Sequence, residues 1–171
     1  GLLLSSGIKI EKIMPLLSKL QSVPGRMELI SKHNKSGIFV DYAHKPDALT
    51  QVLQNLKQKT DNNLWVIFGC GGERDKGKRS IMGEISCQYA DKVIITDDNP
   101  RNEDPTSIRK EILKGCNNKA IEISGRAEAI EFAFNNLQPG DNLIIAGKGH
   151  ENYQILANET IYFSDKETIL Q

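Results

Sequence analysis

Four polar loops, each preceded by a short apolar run, carry most of the residues in this sequence that could do chemistry. The loops are "DYAHKP" (41–46), "GCGGERDKGKR" (69–79), "TDDNPRNEDP" (96–105) and "GKGHEN" (147–152). In the third loop, Asp97 and Asp98 suggest binding of a metal or an amine, whereas Arg101 suggests binding of a carboxylate or phosphate. A zwitterionic ligand, such as an amino acid, would explain both signs of charge. The alternative is a helix-capping loop with surface charges.

The glycine-rich second loop resembles two nucleotide-binding motifs and completes neither. The stretch "GERDKGKR" matches G-x-x-x-x-G-K, but Arg79 stands where a P-loop needs Ser or Thr to hold magnesium. The stretch "GCGGER" begins a G-x-G-x-x-G fingerprint, but Arg74 occupies the third glycine position. Arg74, Lys76, Lys78 and Arg79 then surround a predicted helix start, which is either an anion cradle or a solvated basic helix start.

The first and last loops each have a functional and a structural interpretation. Asp41 and His44 follow a predicted buried strand, and they either face a ligand or form a turn in which Asp41 caps a backbone amide. In the last loop two glycines allow close backbone approach, so Lys148, His150 and Glu151 could face a ligand. The alternative there is an ordinary turn into a hairpin. No Ser-His-Asp or Cys-His arrangement supplies a nucleophile, and we assign neither a catalytic residue nor a metal ligand.

The elements between these loops predict an α/β fold, a Rossmann-like, doubly wound and mostly parallel sheet. Strands are predicted at 37–43, 64–69, 92–98, 120–124 and 142–147. Helices are predicted between them, one beginning at Pro46 and another capped by Asp104 and followed by Pro105. Ligands of such sheets bind beyond the carboxyl ends of the strands, so the four loops should meet. After residue 150, "YQIL" and "IYFS" predict a closing hairpin that could add an antiparallel strand.

The first residues differ in kind from the remainder of the chain. One amphipathic helical stripe is formed by Ile13, Leu16, Leu17 and Leu20. The stretch "SVPG" then ends the helix and resembles a linker. We therefore expect residues 1–23 to be the last helix of a preceding domain with its linker, and residues 24–171 to be one domain.

Bulk composition narrows the possible partners and the compartment. The 22 basic and 22 acidic residues cancel, so no overall field attracts nucleic acid or a membrane surface. Cys70, Cys87 and Cys116 are widely spaced, which favours neither a disulfide framework nor a zinc site. No apolar run approaches the roughly 18–20 residues that cross a bilayer. The sequence predicts a cytoplasmic protein that binds neither nucleic acid nor membrane.

Six motifs, in this order and spacing, closely resemble the C-terminal domain of the Mur ligases. They are "VPGRME", "VDYAHKPDAL", "FGCGGERDKGKR", "TDDNPR", "GRAEAI" and "AGKGHE". The resemblance is to the members that add diaminopimelate during peptidoglycan synthesis, and it covers essentially the whole chain. It implies an ATP-dependent ligase that joins meso-diaminopimelate to UDP-N-acetylmuramoyl-L-alanyl-D-glutamate through an acyl-phosphate. It also implies that other domains hold the UDP-linked substrate and most of the ATP and Mg²⁺, and that residues 1–23 are the last helix and linker of the central ATP-binding domain. This chain alone should therefore be inactive.

The same resemblance assigns residues to two sites. The meso-diaminopimelate pocket would contain Arg74, Asp98, Asn99, Arg101, Gly147 and Glu151. The nucleotide would contact Arg26, Asp41, Tyr42 and His44. Arg101 could hold the carboxylate that distinguishes diaminopimelate from lysine, and lysine-adding relatives lack this arginine. The roles of Lys76, Lys78 and Arg126 could be structural.

Two other function classes are left open by the residues themselves. One is a non-catalytic α/β module that binds a nucleotide or an amino acid. The other is a dinucleotide-dependent oxidoreductase, which Arg74 in the glycine fingerprint already weakens.

Overall fold

Six strands form the central sheet of this protein, in the order β1-β2-β6-β3-β4-β5, in a computed structural model that describes residues 2–17, 22–33 and 35–171. The strands are Glu28–His33 (β1), Ser36–Asp41 (β2), Leu64–Phe68 (β3), Lys92–Ile95 (β4), Ala120–Glu122 (β5) and Asn142–Ala146 (β6). A separate two-stranded sheet contains Tyr153–Ile155 (β7) and Thr160–Tyr162 (β8). Strands β2 to β6 are parallel, whereas β1 is antiparallel to β2.

Helices cover both faces of the sheet. The helices on the sheet are Pro46–Lys57 (α3), Lys78–Tyr89 (α4), Pro105–Leu113 (α5), Arg126–Asn136 (α6) and Asp165–Leu170 (α7), and they are preceded in the chain by Leu2–Ser5 (α1) and Ile10–Leu17 (α2). Alternate residues of the buried strands point to opposite faces. Val66 and Phe68 therefore pack with α3, α4 and α5, whereas Trp65 and Ile67 pack with α6 and α7. The α/β fold with a mostly parallel, doubly wound sheet is thus confirmed, as are the predicted strands and the helices starting at Pro46 and Pro105.

Two parts of the fold differ from the sequence prediction. The antiparallel strand of the main sheet is β1, which was not predicted, and the predicted hairpin forms its own sheet instead of joining the larger one. The sequence pattern did not predict β1 because "ELISKH" is half polar. This composition is typical of an edge strand that lies partly in solvent. Three members of the N-terminal stripe, Ile13, Leu16 and Leu17, lie in α2 as predicted, and the fourth, Leu20, lies outside the described residues.

The strand order explains why the four polar loops meet. The chain passes from β3 outward to β4 and β5, then returns through α6 to place β6 between β2 and β3. The loop after β3 leads to α4 on one face of the sheet, whereas the chain after β6 passes through the hairpin to α7 on the other face. A crevice opens at such a reversal point, beyond the carboxyl ends of the strands.

Candidate functional site

A cavity of about 760 Å³ lies at this crevice, and residues of all four loops line it. It brings together every residue predicted for the amino-acid pocket, namely Arg74, Asp98, Asn99, Arg101, Gly147 and Glu151. Tyr42 and His44, two of the four residues predicted for the nucleotide side, line it as well. Arg26 and Asp41 lie outside its lining. The cavity also includes Tyr153, which the sequence analysis had assigned only to the hairpin.

Arg101 is held in a defined position by backbone groups. Its backbone φ of 54° lies in the left-handed region, which is uncommon for residues other than glycine and asparagine. Its backbone N–H donates to the Ile155 carbonyl at 3.1 Å. Its Nη1 donates to the carbonyls of Gly72, at 3.0 Å, and Asn99, at 3.3 Å. A guanidinium has five N–H donors, so several donors stay available to a ligand in the cavity.

The glycine-rich loop packs backbone to backbone against the loop that carries Arg101. The Gly72 N–H donates to the Asn99 carbonyl at 2.9 Å. A Cβ at residue 72 would lie 1.9 Å from the Pro100 carbonyl oxygen, so a side chain there is impossible without moving the loop. The glycine is therefore required by the contact between two walls of the cavity, whether or not a nucleotide approaches.

The acidic side of the cavity is built around a buried lysine. Lys148 is fully buried, and its Nζ lies 3.1 Å from Asn99 Oδ1, 3.9 Å from Asp98 Oδ1 and 3.8 Å from Glu151 Oε2. Burial lowers the pKa of Lys148, and the negative charge of Asp98 partly offsets this effect. Gly147 has a φ of 114°, and a Cβ there would lie 2.8 Å from Asp98 Oδ2. The glycine thus leaves the carboxylate accessible from the cavity.

The four basic residues that were predicted to surround the helix start differ in whether they are free to bind a ligand. Arg79 is fully buried and makes ion pairs with Glu103, at 3.1 Å, and Glu111, at 2.8 Å, so it is not available to a ligand. Lys76 lies 3.4 Å from Glu103. Lys78 donates to the His44 carbonyl at 2.6 Å, which joins the first and second loops.

Arg74 is the member of this basic group that lines the cavity while its side chain stays exposed. It makes neither a hydrogen bond nor an ion pair with any residue that the structure describes. An unpaired guanidinium beside a cavity can take up an anionic ligand group at little cost in existing interactions.

Asp97 does not face the cavity, which corrects the interpretation that both acids of the third loop bind a ligand. Its carboxylate pairs with Arg109, which also contacts Glu122 Oε1 at 2.7 Å. Burial raises the pKa of Asp97, although the Arg109 guanidinium opposes this shift. Asp104 accepts hydrogen bonds from the N–H groups of Thr106 and Ser107, which confirms the predicted helix cap. Within this loop, Asp98, Asn99 and Arg101 are the residues that line the cavity.

The residues predicted for the nucleotide form an aromatic and cationic cluster on the other side of the crevice. The guanidinium carbon of Arg26 lies 4.7 Å from the centre of the Tyr42 ring. The Tyr42 ring contacts His44 edge to face at 4.7 Å and stacks with His150 at 5.8 Å. Asp41 is buried, and its carboxylate accepts the N–H groups of Met27 and Ala43, each at 2.7 Å. It therefore serves as a backbone cap in this structure.

Neither the thiol beside the cavity nor any cluster of side chains among the described residues is suited to nucleophilic or metal chemistry. Burial raises the pKa of Cys70, beside the cavity, to about 12, so its thiol is a poor nucleophile at neutral pH. Within the described ranges, no group of three or more His, Cys, Asp or Glu side chains could hold a metal ion. No helix among them is long and apolar enough to cross a membrane.

Comparison with known proteins identifies a family and several similar enzymes. Residues 25–149 match the family described as "Mur ligase, glutamate ligase domain". The UDP-N-acetylmuramoyl-L-alanyl-D-glutamate--2,6-diaminopimelate ligase of Mesorhizobium japonicum is 49% identical over 170 residues, which cover 99% of this chain and 35% of that protein. The enzyme of the same name from Rickettsia typhi is 52% identical over 168 residues, 96% of this chain and 33% of its own.

A solved structure of a ligase with that name is also similar. Its TM-score is 0.82 at 42% identity, and the match covers 97% of this chain and 34% of the other. The chain thus spans about a third of the length of the curated relatives it matches. Because the family match extends over most of the chain, this protein belongs to the Mur ligase, glutamate ligase domain family.

Proposed function

We propose that this chain is the amino-acid-binding domain of an ATP-dependent ligase that adds meso-diaminopimelate to UDP-N-acetylmuramoyl-L-alanyl-D-glutamate in peptidoglycan synthesis. The observation that carries the proposal is one cavity that is lined both by two arginines, Arg74 and Arg101, and by two carboxylates, Asp98 and Glu151. The names of the relatives described above support the same substrate.

The charges of this cavity complement the far end of diaminopimelate. That end carries an ammonium and a carboxylate on the same carbon, whereas lysine has the ammonium alone. Arg101, assisted by Arg74, would bind the carboxylate through charge-assisted hydrogen bonds, and Asp98 with Glu151 would bind the ammonium. Lysine would leave the half-buried Arg101 unpaired, which is the kind of mismatch that polar sites reject most strongly.

The role of this chain in the reaction would be to bind and orient the attacking amino acid. ATP would supply the phosphoryl group that activates the D-glutamyl carboxylate. Arg26, Tyr42 and His44 would contact the nucleotide, since a cation and aromatic rings can stack on a base or neutralise a phosphate. Asp41 would act beside them by fixing the backbone at Met27 and Ala43.

We assign most of the ATP contacts, Mg²⁺ and the UDP-linked substrate to parts of the full-length protein outside this chain. Residues 1–23 would then end a preceding domain, and residues 24–171 would form the amino-acid-binding domain. Closure of the domains would assemble the complete site. We therefore expect no amide formation by the 171-residue chain alone, and we place the reaction in the cytoplasm.

The test uses the full-length protein that carries this chain. Initial rates of amide formation are measured with meso-diaminopimelate and, separately, with L-lysine at matched concentrations. We expect kcat/KM to favour diaminopimelate by about 10⁴-fold or more. Equal use of the two amino acids, or a preference for lysine, would contradict the proposal. A protein that binds diaminopimelate but forms no amide would instead support a non-catalytic binding module.

A further inference from the structure

Lys148 lies directly behind the acidic wall of the cavity without being part of its lining. The side chain is fully buried, yet it ends in an ammonium group, which is costly to remove from water. A lysine is seldom buried unless its charge is compensated. Its position therefore requires an explanation that the proposed ligand contacts do not supply.

The surroundings of the ammonium are the residues proposed to recognise the ligand. Its hydrogen bond is to Asn99 Oδ1, at 3.1 Å, and the carboxylates of Asp98 and Glu151 both lie within 4 Å. Two further charges influence it, the cation of Arg126 and the carboxylate of Asp165. One buried cation thus contacts three residues that line the cavity.

The hydrogen bonds of Asn99 fix which way its amide group faces. Asn99 Oδ1 accepts from Lys148 Nζ and from the Ile155 N–H, at 2.9 Å. Both partners can only donate, so this atom must be the oxygen. The amide Nδ2 is consequently directed toward Glu151 Oε2, 3.4 Å away. Asn99 therefore presents N–H donors, rather than an acceptor, on the cavity side.

We propose that Lys148 is a positioning residue for the amino-acid site. It orients the Asn99 amide so that its donors face the ligand, and it holds the carboxylates of Asp98 and Glu151 side by side where they would otherwise repel. Lys148 does this without touching the ligand. The inference deepens the proposed function and rests on it, since diaminopimelate is the ligand whose binding Lys148 would organise.

This role predicts an effect on amino-acid binding rather than on the chemical step. A residue that prepares the site equally for the bound substrate and the transition state changes KM and leaves kcat nearly unchanged. Removing a buried hydrogen bond to a charged group should weaken binding by about 10- to 100-fold. The KM for ATP should not follow, because Lys148 contacts none of Arg26, Tyr42 or His44.

The main experiment compares Lys148→Met with the unsubstituted full-length protein. Methionine keeps most of the side-chain volume and removes the charge. We expect the KM for meso-diaminopimelate to rise by about 10- to 100-fold, with kcat within about threefold. Lys92→Met is the matched control, because Lys92 is an exposed lysine at the amino end of β4, far from the cavity. It should change neither constant.

A second variant tests the amide orientation and keeps the buried lysine in place. Asn99→Asp preserves shape and still offers Lys148 and Ile155 an acceptor, but it replaces the N–H donors on the cavity side with an acceptor. We expect the KM for diaminopimelate to rise at least as much as in Lys148→Met. This variant retains a test of the inference if Lys148→Met does not fold.

The outcomes separate the inference from the function on which it rests. An unsubstituted protein that forms no amide with diaminopimelate would refute the proposed function. Normal activity of that protein together with an unchanged KM in Lys148→Met or in Asn99→Asp would refute the positioning role alone. A fall in kcat at constant KM would also refute it, because Lys148 would then act on the chemical step.

Discussion

The six arginines of this chain fall into two groups that occupy different regions of the molecule. Arg79, Arg109 and Arg126 are buried behind the walls of the crevice, and each makes an ion pair with a carboxylate. The others are Arg26, Arg74 and Arg101, which are exposed or half-buried at the crevice. None of these three has an ion pair with a described residue.

The difference shows that arginine can stabilise the fold at buried positions and can be available to a ligand at the crevice. A buried guanidinium must be paired, because desolvation of an unpaired charge is costly. Arg79 and Arg126 therefore connect segments: Arg79 joins the glycine-rich loop to α5, and Arg126 joins α6 to α7 and to the Ala146 carbonyl, at 3.0 Å. At the crevice, the guanidinium groups without carboxylate partners are the ones that a ligand could pair with.

The largest effect is expected at the most buried pair, Arg126 with Asp165. Arg126→Met leaves the fully buried Asp165 carboxylate without its partner, since both bonds, at 2.7 and 2.8 Å, are lost. We expect this chain to lose about 3–5 kcal/mol of unfolding free energy. Urea unfolding followed by the fluorescence of Trp65 measures it. The double variant Arg126→Met/Asp165→Asn should be less destabilised, and a double variant as unstable as the single one would contradict the ion-pair explanation.

A similarly large effect, but on recognition, is expected at Arg101. Arg101→Asn removes the guanidinium, and asparagine tolerates the left-handed backbone better than alanine does. In the full-length protein, kcat/KM for diaminopimelate should fall about 100-fold, or ~2.7 kcal/mol. Initial rates provide the measurement. A fall of less than about tenfold, ~1.4 kcal/mol, would show that Arg101 does not hold the distinguishing carboxylate.

Arg74 and Arg79 provide the most direct contrast, since they lie only five positions apart, Arg74 in the glycine-rich loop and Arg79 in the first turn of α4. Arg74→Gln should raise the KM for diaminopimelate by about tenfold and change unfolding free energy by less than about 0.5 kcal/mol. Arg79→Gln should instead lower stability, because Glu103 and Glu111 lose their shared partner. Paired measurements of KM and urea unfolding on both variants test the division. Equal loss of stability in the two variants would contradict the distinction between a structural Arg79 and a ligand-binding Arg74.

The smallest effect is expected for the pH dependence of the stability that ionised Glu103 contributes. The N–H of Glu73 and the guanidinium of Arg79 lower the pKa of Glu103 below its usual value of 4.5. A carboxyl whose pKa is lowered in the folded state stabilises the protein above its unfolded pKa and loses this contribution as pH falls through the folded pKa. Glu103→Gln should therefore lower the melting temperature at pH 7, and the difference should shrink below about pH 4.5. A difference that does not change with pH would exclude a charge-dependent contribution.

The periodic elements could be predicted because their patterns are local. Helix α5 begins at Pro105 after the Asp104 cap, as expected from two adjacent residues. Strand β1 was missed because an edge strand is stabilised by pairing with β2 rather than by its own composition. The hairpin was found, but its failure to join the main sheet depends on distant packing that no short window contains.

Some features of the candidate site could likewise be predicted from the sequence, and others could not. Residue types and order alone determined which loops carry chemistry, and the resemblance to a ligase family named Arg74, Asp98, Asn99 and Arg101. Only the tertiary structure decided that Asp97 turns to Arg109, that Arg79 is a buried support, and that Lys148 lies behind the acidic wall. Sequence fixes the charge of each residue, but burial and partners follow from contacts between residues far apart in the chain. Those contacts determine whether a charge supports the fold or is left for a ligand.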